Sequence, residues 1–265
     1  MKKLTIVVSY YKALENLKLI LEALNNQSCS DFEVIISEDD NSKELIQFLE
    51  NEHANFKFPI KHINQKVDDG FRKNEMLNRA ILTSSTEKIA FIDGDCVPHK
   101  HFAKQYIKEI NKGCVCVGRA VLLDEKITES IKKDCSFNRL KFGSLIFSKT
   151  EKKKEGVYFP IFSLSHKLRG LVGRNWGCCR QDLIDVNGFD EDYVFAGVGE
   201  DVDVEWRLIK NGLTKKSVKN KAIVYHLYHK RWYQTEKERE NFKMMQTKIS
   251  ENHCKCLNGI EKLSQ

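Results

Sequence analysis

Apolar residues along this chain alternate between short β-branched runs and stretches in which they recur three or four positions apart. Leu4-Thr5-Ile6-Val7-Val8 predicts a strand ending in Ser9-Tyr10-Tyr11, and Leu14, Leu17, Leu21 and Leu24 then mark one face of a helix. Phe32-Glu33-Val34-Ile35-Ile36 repeats the pattern. It runs into Glu38-Asp39-Asp40-Asn41-Ser42, where an Asp or Asn side chain can cap a helix from Lys43 to Glu50. Ile60-Lys61-His62-Ile63 predicts a third short strand. Asn74 to Leu82 carries Met76, Leu77, Ala80 and Ile81 in helical register, and Ile89 to Ile92 predicts a fourth strand.

Strands and helices that alternate with short connections imply an α/β fold: a mostly parallel sheet with helices on both faces and ligands beyond the carboxyl ends of the strands. Three polar strand tips then converge on one edge: Ser9-Tyr10, Asp39-Asp40 and Asp93-Gly94-Asp95. The alternation weakens after Cys114-Val115-Cys116-Val117-Gly118-Arg119. Asp124 to Phe159 is lysine-rich without a clean period, which reads as a mobile insertion or lid. Phe137, Leu140, Phe142, Leu145, Ile146 and Phe147 suit either a membrane contact or a helix packed on the domain. Order returns at Gly173, with a helix from Glu200 to Lys210, a strand Ala222 to Tyr225 and a charged helix from about Thr235. The expected divisions are 1–118, a basic insertion 119–172, 173–234 and a C-terminal helix 235–265.

With 265 residues, 41% of them hydrophobic, the chain can form one large α/β domain or two small ones. Nine cysteines form an odd set without zinc-ribbon spacing, and no signal peptide precedes Leu4, so reduced thiols and a cytoplasmic location are expected. Cys178-Cys179 lacks the spacer of a zinc site. No apolar run approaches the roughly 18 to 20 residues of a spanning helix, so any membrane contact is peripheral. The net charge of +7 is concentrated in Lys149 to Lys154 and Lys215 to Lys221, which suits phosphate-bearing substrates, anionic membranes or nucleic acid, or simply a solvated lysine-rich surface.

Asp93-Gly94-Asp95 changes the picture most. Two carboxylates at the tip of a buried strand suit a hard divalent cation shared with substrate phosphates, although Asp-Gly also serves as a plain turn. Asp39 and Asp40 can accept a hydrogen bond from uracil N3–H, and a Tyr at the first tip can stack on the base; an N-cap and turn explains the acidic run as well. Arg72 and Lys73 open a helix after Gly70 and can bring positive charge to a diphosphate, Arg72 being preferred; a solvated charge pair is the alternative.

Taken in order, Thr5-Ile6-Val7-Val8-Ser9-Tyr10-Tyr11, Glu38-Asp39-Asp40-Asn41-Ser42, Gly70-Phe71-Arg72-Lys73 and Asp93-Gly94-Asp95 resemble family 2 glycosyltransferases of the GT-A fold. Gly173-Arg174-Asn175-Trp176-Gly177, Val186-Asn187-Gly188-Phe189-Asp190 and Gly199-Glu200-Asp201-Val202-Asp203 resemble the acceptor-side region of β-1,4-galactosyltransferases and bacterial chondroitin-polymerase-type enzymes. The matches span about Leu4 to His229. The resemblance implies a Rossmann-like sheet whose residues 1–118 bind the nucleotide sugar and whose residues 173–234 bind the acceptor. It implies an inverting, metal-dependent transferase moving a hexose or N-acetylhexosamine from a UDP-sugar to a carbohydrate. That acceptor is expected to be a lipid-linked oligosaccharide in O-antigen, capsule or lipooligosaccharide assembly at the inner membrane face.

The same resemblance assigns roles. Ser9 and Tyr10 line the nucleotide site, Asp40 contacts the base with Asp39 in support, and Arg72 meets the diphosphate. Asp95 binds Mn2+ or Mg2+ directly, while Asp93, across Gly94, contacts ribose or a water on the metal. His226 is the third ligand, with His229 competing; imidazole suits Mn2+ better than Ca2+. Asp201, at a helix start, is the general base and Glu200 orients the acceptor, although both can simply cap the helix. Trp176 offers an aromatic face to a sugar ring, against the commoner fate of core packing. Two other readings are a nucleotidyltransferase, which lacks its glycine-rich loop after the first strand, and a basic non-catalytic polyanion-binding module. The acidic pairs would repel a polyanion, so no nucleic acid partner is expected.

Overall fold

The computed structural model describes residues 2–161, 168–197, 200–230 and 235–263. Its strands are β1 Leu4–Tyr10, β2 Phe32–Glu38, β3 Ile60–Ile63, β4 Lys88–Asp93, β5 Cys96–Pro98, β6 Cys114–Val117, β7 Arg119–Leu122, β8 Trp176–Cys179, β9 Thr214–Ser217 and β10 Ile223–His226. Its helices are α1 Leu14–Asn25, α2 Lys43–Glu52, α3 Lys73–Thr83, α4 Phe102–Glu109, α5 Glu125–Asp134, α6 Phe142–Ile146, α7 Arg180–Asp185, α8 Glu200–Lys210 and α9 Thr235–Ser250. Among these residues a seven-stranded sheet runs β3-β2-β1-β4-β8-β6-β9, and a smaller sheet runs β5-β10-β7. The pairs β3/β2, β2/β1, β1/β4 and β6/β9 are parallel; β8 is antiparallel to both of its neighbours.

The near-continuous apolar strands reflect burial on both faces. Ile6 and Val8 join one core cluster and Val7 the other; Val34 and Ile36 part from Ile35, and Ala90 and Ile92 from Ile89 and Phe91, in the same way. Helix α1 closes the first cluster with Leu17, Ile20, Leu21 and Leu24, and α3 closes the second with Leu77, Ala80 and Ile81. The register pairs Ser9 with Asp93 and Tyr10 with Glu38, which brings the three expected polar tips to one edge. The cap of α2 falls to Ser42, whose side chain accepts from Leu45 N, rather than to an Asp or Asn. Asp40 instead accepts from Asn41 N.

Strand β5 starts one residue beyond Asp95 and pairs with β10, setting His226 opposite Cys96, and Leu227 N donates to Asp95 O at 2.9 Å. Sequence pattern missed β5, β7, β8 and β9, each only three or four residues long.

Asp124 to Phe159 is not irregular throughout. Asp124 caps α5 by accepting from Ile127 N, and Leu122 and Glu151 exchange main-chain hydrogen bonds across the segment. Ile131, Leu140 and Leu145 enter the main core, which is the packed-helix alternative for this stretch. Phe142, Ile146 and Phe147 stay exposed, Phe147 at 94%. No described helix is long and apolar enough to cross a membrane.

Candidate active site

A cleft of about 600 Å3 opens beyond the carboxyl ends of β1, β2 and β4. Ser9, Asp39, Lys73, Asp93, Gly94, Asp95 and His229 line it together with Tyr10 and Tyr11. Gly94 is dictated by close packing: a Cβ there would fall 2.6 Å from Ser9 O, so any larger residue would push the two carboxylates off the strand tip.

At one end, Asp95 Oδ2 lies 3.4 Å from His226 Nε2 and 3.3 Å from His229 Nε2. The ligand atoms of all three lie within 4.8 Å of one another. Oxygen and nitrogen ligands at about 2.1 Å from one ion are at most about 4.2 Å apart, so a small convergence of side chains suits the group to a divalent cation. Burial lowers the proton affinity of His226, favouring the neutral imidazole a metal needs. The hydrogen bond from His229 and the charge of His226 hold the Asp95 carboxyl below its usual range despite burial. The structure thus brings both candidate histidines to Asp95 instead of choosing between them.

At the other end, Asp39 Oδ1 accepts from Gln65 Nε2 at 2.7 Å and from Arg72 N at 2.9 Å. Burial outweighs these bonds and pushes the carboxyl up to about 6. Asp39 faces the cleft; Asp40 is turned toward Lys12, 3.7 Å away, and does not line it. The structure therefore turns Asp39, not the expected Asp40, into the cleft, since side chains at successive positions past a strand point opposite ways. A similar correction applies to the aromatic ring. Tyr10 borders the cleft but is 3% exposed and packs in the core, whereas Tyr11 is 54% exposed and available for stacking.

Arg72 is corrected as well. Its guanidinium is spent on Asp69 at 2.7 Å and on Phe71 O, and it does not line the cleft. Lys73 does, with Nζ 3.1 Å from Asp93 Oδ1 and 3.3 Å from Glu200 Oε1. The surrounding carboxylates raise its proton affinity against the cost of burial, so it remains a cation. The block Gly70-Phe71-Arg72-Lys73 contained the signal, but only the helix start decides which of two adjacent cations faces in.

Glu200 and Asp201 open α8 beside a small cavity of about 10 Å3 that shares Ser9 and Lys73 with the cleft. Asp201 Oδ2 accepts from Gly173 N at 2.9 Å. Burial raises the proton affinity of both carboxylates, and Glu200 Oε2 is buried with no hydrogen-bond partner among the described residues. Of the Gly197-Val198-Gly199 run that precedes them, Val198 and Gly199 lie outside the described residues, as does Trp232 near the histidines.

Trp176 departs most from expectation as a sugar platform. It is 1% exposed, stacked on Phe91 at 4.5 Å and edge-on to Phe189, and only borders the small cavity. A ring sealed in the core has no face to offer a pyranose. Its neighbour Asn175 is likewise structural: it accepts from Tyr106 Oη and donates to Arg119 O and Ala222 O, tying the two sheets together.

A model of glycosyl transferase family 2 matches residues 5–170, and a model of the N-terminal domain of galactosyltransferase matches residues 157–230. Chondroitin synthase of Escherichia coli is 25% identical over 240 residues, covering 84% of this chain and 34% of that protein. A Campylobacter jejuni GalNAc(5)-diNAcBac-PP-undecaprenol beta-1,3-glucosyltransferase is 25% identical over 175 residues, covering 62% of this chain and 53% of its own length. The chain thus spans about a third and about half of these two relatives. Among solved structures, the mannosyltransferase PcManGT of Pyrobaculum calidifontis with GDP-Man and Mn2+ superposes with a TM-score of 0.63 at 13% identity over 95% of this chain and 65% of that one. S. aureus TarS 1-349 with UDP-GlcNAc gives 0.63 at 16% identity, over 98% and 68%. The likeness carries the GT-A architecture read from the sequence.

Proposed function

Since the chain belongs to glycosyl transferase family 2, we propose that it transfers a hexose or N-acetylhexosamine from a UDP-sugar to a carbohydrate acceptor with inversion at the anomeric carbon. One observation carries the reading: the Asp39 carboxylate, the part-buried Lys73, and Asp95 with His229 share one cleft at the strand ends, with His226 beside Asp95 and a second acidic pair next to the cleft.

Asp39 accepts the uracil N3–H, and the exposed Tyr11 ring stacks on the base. Lys73 meets the diphosphate, replacing Asp93 as one of its partners when substrate enters. Asp95, His226 and His229 hold Mn2+ or Mg2+, which when bound neutralises charge on the departing nucleoside diphosphate. Asp201 takes the proton of the acceptor hydroxyl as that oxygen bonds to the anomeric carbon. The bond to the β-phosphate oxygen breaks on the opposite side, and UDP leaves with the electron pair. The raised proton affinity of Asp201 suits a base working near neutral pH. Glu200 orients the acceptor.

Bacterial surface polysaccharide synthesis is the setting, supported by the two bacterial relatives. A lipid-linked acceptor fits the exposed Phe142, Ile146 and Phe147 among Lys141, Lys149 and Lys153, a basic apolar surface suited to a peripheral contact with an anionic membrane. The divisions at 118, 172 and 234 remain the working outline of donor half, insertion, acceptor half and C-terminal helix. Incubation with a panel of UDP- and GDP-sugars, with and without Mn2+, tests the donor: metal-dependent release of UDP supports the reading, and release of GDP alone or of pyrophosphate removes it. Co-sedimentation with anionic but not neutral vesicles tests the membrane contact.

A further inference from the structure

A second cavity, of about 70 Å3, is lined by Arg119, Lys152, Arg169 and Arg174 with Gly118 and Gly170. Among the described residues no acidic side chain lines it. Elsewhere some guanidinium groups meet carboxylates, as in Arg72 with Asp69, Arg139 with Asp134 and Arg207 with Asp203, while Arg79 and Arg180 donate to main-chain carbonyls. Among the described residues no carboxylate lies within 4.0 Å of Arg119, Arg169 or Arg174, and the stretch 162–167, outside them, contains no Asp or Glu. Among the described residues the Arg119 side chain donates to the main chain, at Gly118 O. Clustered cations repel one another, and three guanidinium groups lining one cavity with no carboxylate in direct ion-pair contact among the described residues suit an anion; Glu155 acts on Arg119 from farther off, and Glu205 lies beside Gly170. Burial and then Arg169 lower the proton affinity of Arg119, and Glu155 offsets part of that effect.

The cavity also adjoins the reacting centre. Val172 and Arg174 line it on either side of Gly173, whose N–H holds Asp201. A Cβ at Gly173 would lie 3.7 Å from Asp93 Oδ1, and the charge of Arg174 is felt at His226. One short loop therefore presents its glycine to the carboxylates and its flanking residues to the cationic cavity. One water needs roughly 10 to 15 Å3 of space of this kind, so the cavity admits a phosphate or carboxylate group.

We propose that this cavity is an anion subsite for the acceptor: Arg119, Arg169 and Arg174 take a phosphate or carboxylate carried by the acceptor and so hold its hydroxyl toward Asp201. The word acceptor rests on the transferase reading above; the anion site itself does not.

The test is thermal denaturation of the full chain saturated with UDP and Mg2+, so that the donor site is filled. It is titrated with inorganic phosphate, methyl β-glucuronide, methyl β-glucoside and, at matched ionic strength, sodium chloride. Phosphate or the glucuronide should raise Tm by several degrees, the glucoside and chloride should not, and the responding anion tells phosphate-bearing from uronate-bearing acceptors. Arg119→Gln with Arg169→Gln should shift the midpoint concentration at least tenfold. If that pair fails to fold, Arg169→Gln alone, at an exposed position, should still shift it several-fold. An unresponsive wild-type chain, a response unchanged by the substitutions, or one seen only without UDP overturns the proposal. Failure of UDP itself to raise Tm counts against the donor reading and leaves the anion arm readable.

Discussion

Lys73 Nζ donates to Asp93 Oδ1 at 3.1 Å, joining the first turn of α3 to the carboxylate at the tip of β4. The contact makes Lys73, not its neighbour Arg72, the cation of the cleft. Lys73→Met should lower kcat/KM for the nucleotide sugar about 100-fold or more, because a buried charge facing the diphosphate is lost. Arg72→Gln removes only a surface pair with Asp69 and should cost at most about threefold. Steady-state kinetics of both variants decide it; equal losses would return the role to Arg72.

Asp39 titrates at about 6, so it is charged above that pH and protonated below it. Uracil N3–H needs a charged acceptor, so UDP affinity should fall as pH drops below about 6, approaching tenfold per pH unit. Stability moves the other way. The folded state holds a proton that the unfolded chain releases between the ordinary carboxylate range and about 6, so this group's contribution to stability falls as pH rises through that window. Calorimetric titration of UDP from pH 5 to 8 reads the first effect; Asp39→Asn should flatten the profile and weaken binding.

Asp95, His226 and His229 should act as one metal-binding unit. Asp95→Ala is expected to abolish metal-dependent UDP binding, and His226→Ala or His229→Ala to raise the half-saturating Mn2+ concentration about 10- to 100-fold. Calorimetry with and without Mn2+ measures both. If His229→Ala leaves metal binding unchanged, the ion is held by Asp95 and His226 without it.

Asp201→Asn should abolish transfer while leaving UDP and Mn2+ affinity within about twofold, because it removes a proton acceptor and keeps the shape. Turnover near wild type would take the base role away from Asp201. Glu200→Gln, which keeps an acceptor oxygen for Lys73, should lower kcat less than Asp201→Asn does.

Trp176→Ala should act through stability. Removing a fully buried indole stacked on Phe91 costs about 3 to 5 kcal/mol, or on the order of 10 °C in Tm for a chain of this size. Below the lowered Tm, acceptor KM should change little. A large KM effect with an unshifted Tm would restore Trp176 to the acceptor site.

Much of the molecule was legible in its sequence, and the reason is periodicity. Leu4–Tyr10, Phe32–Glu38 and Lys88–Asp93 are buried on both faces, so their apolar runs and the helices between them fix a parallel sheet, and the fold places its strand tips together. Asp93-Gly94-Asp95 stood out because it ends one of those strands, and the neighbouring motifs that carry the resemblance gave it its role. The choices between adjacent residues were not: Asp39 over Asp40, Tyr11 over Tyr10 and Lys73 over Arg72 each depend on which way a side chain leaves the last turn of backbone before a loop or helix. The candidate metal ligands Asp95, His226 and His229 were named through the resemblance, but their convergence was not legible in local pattern: the two histidines reach Asp95 because β10 pairs with the three-residue β5, a contact across 130 residues of chain. Local pattern determined the elements and their common edge; long-range pairing and burial decided which side chains face the cleft, because those depend on neighbours remote in sequence.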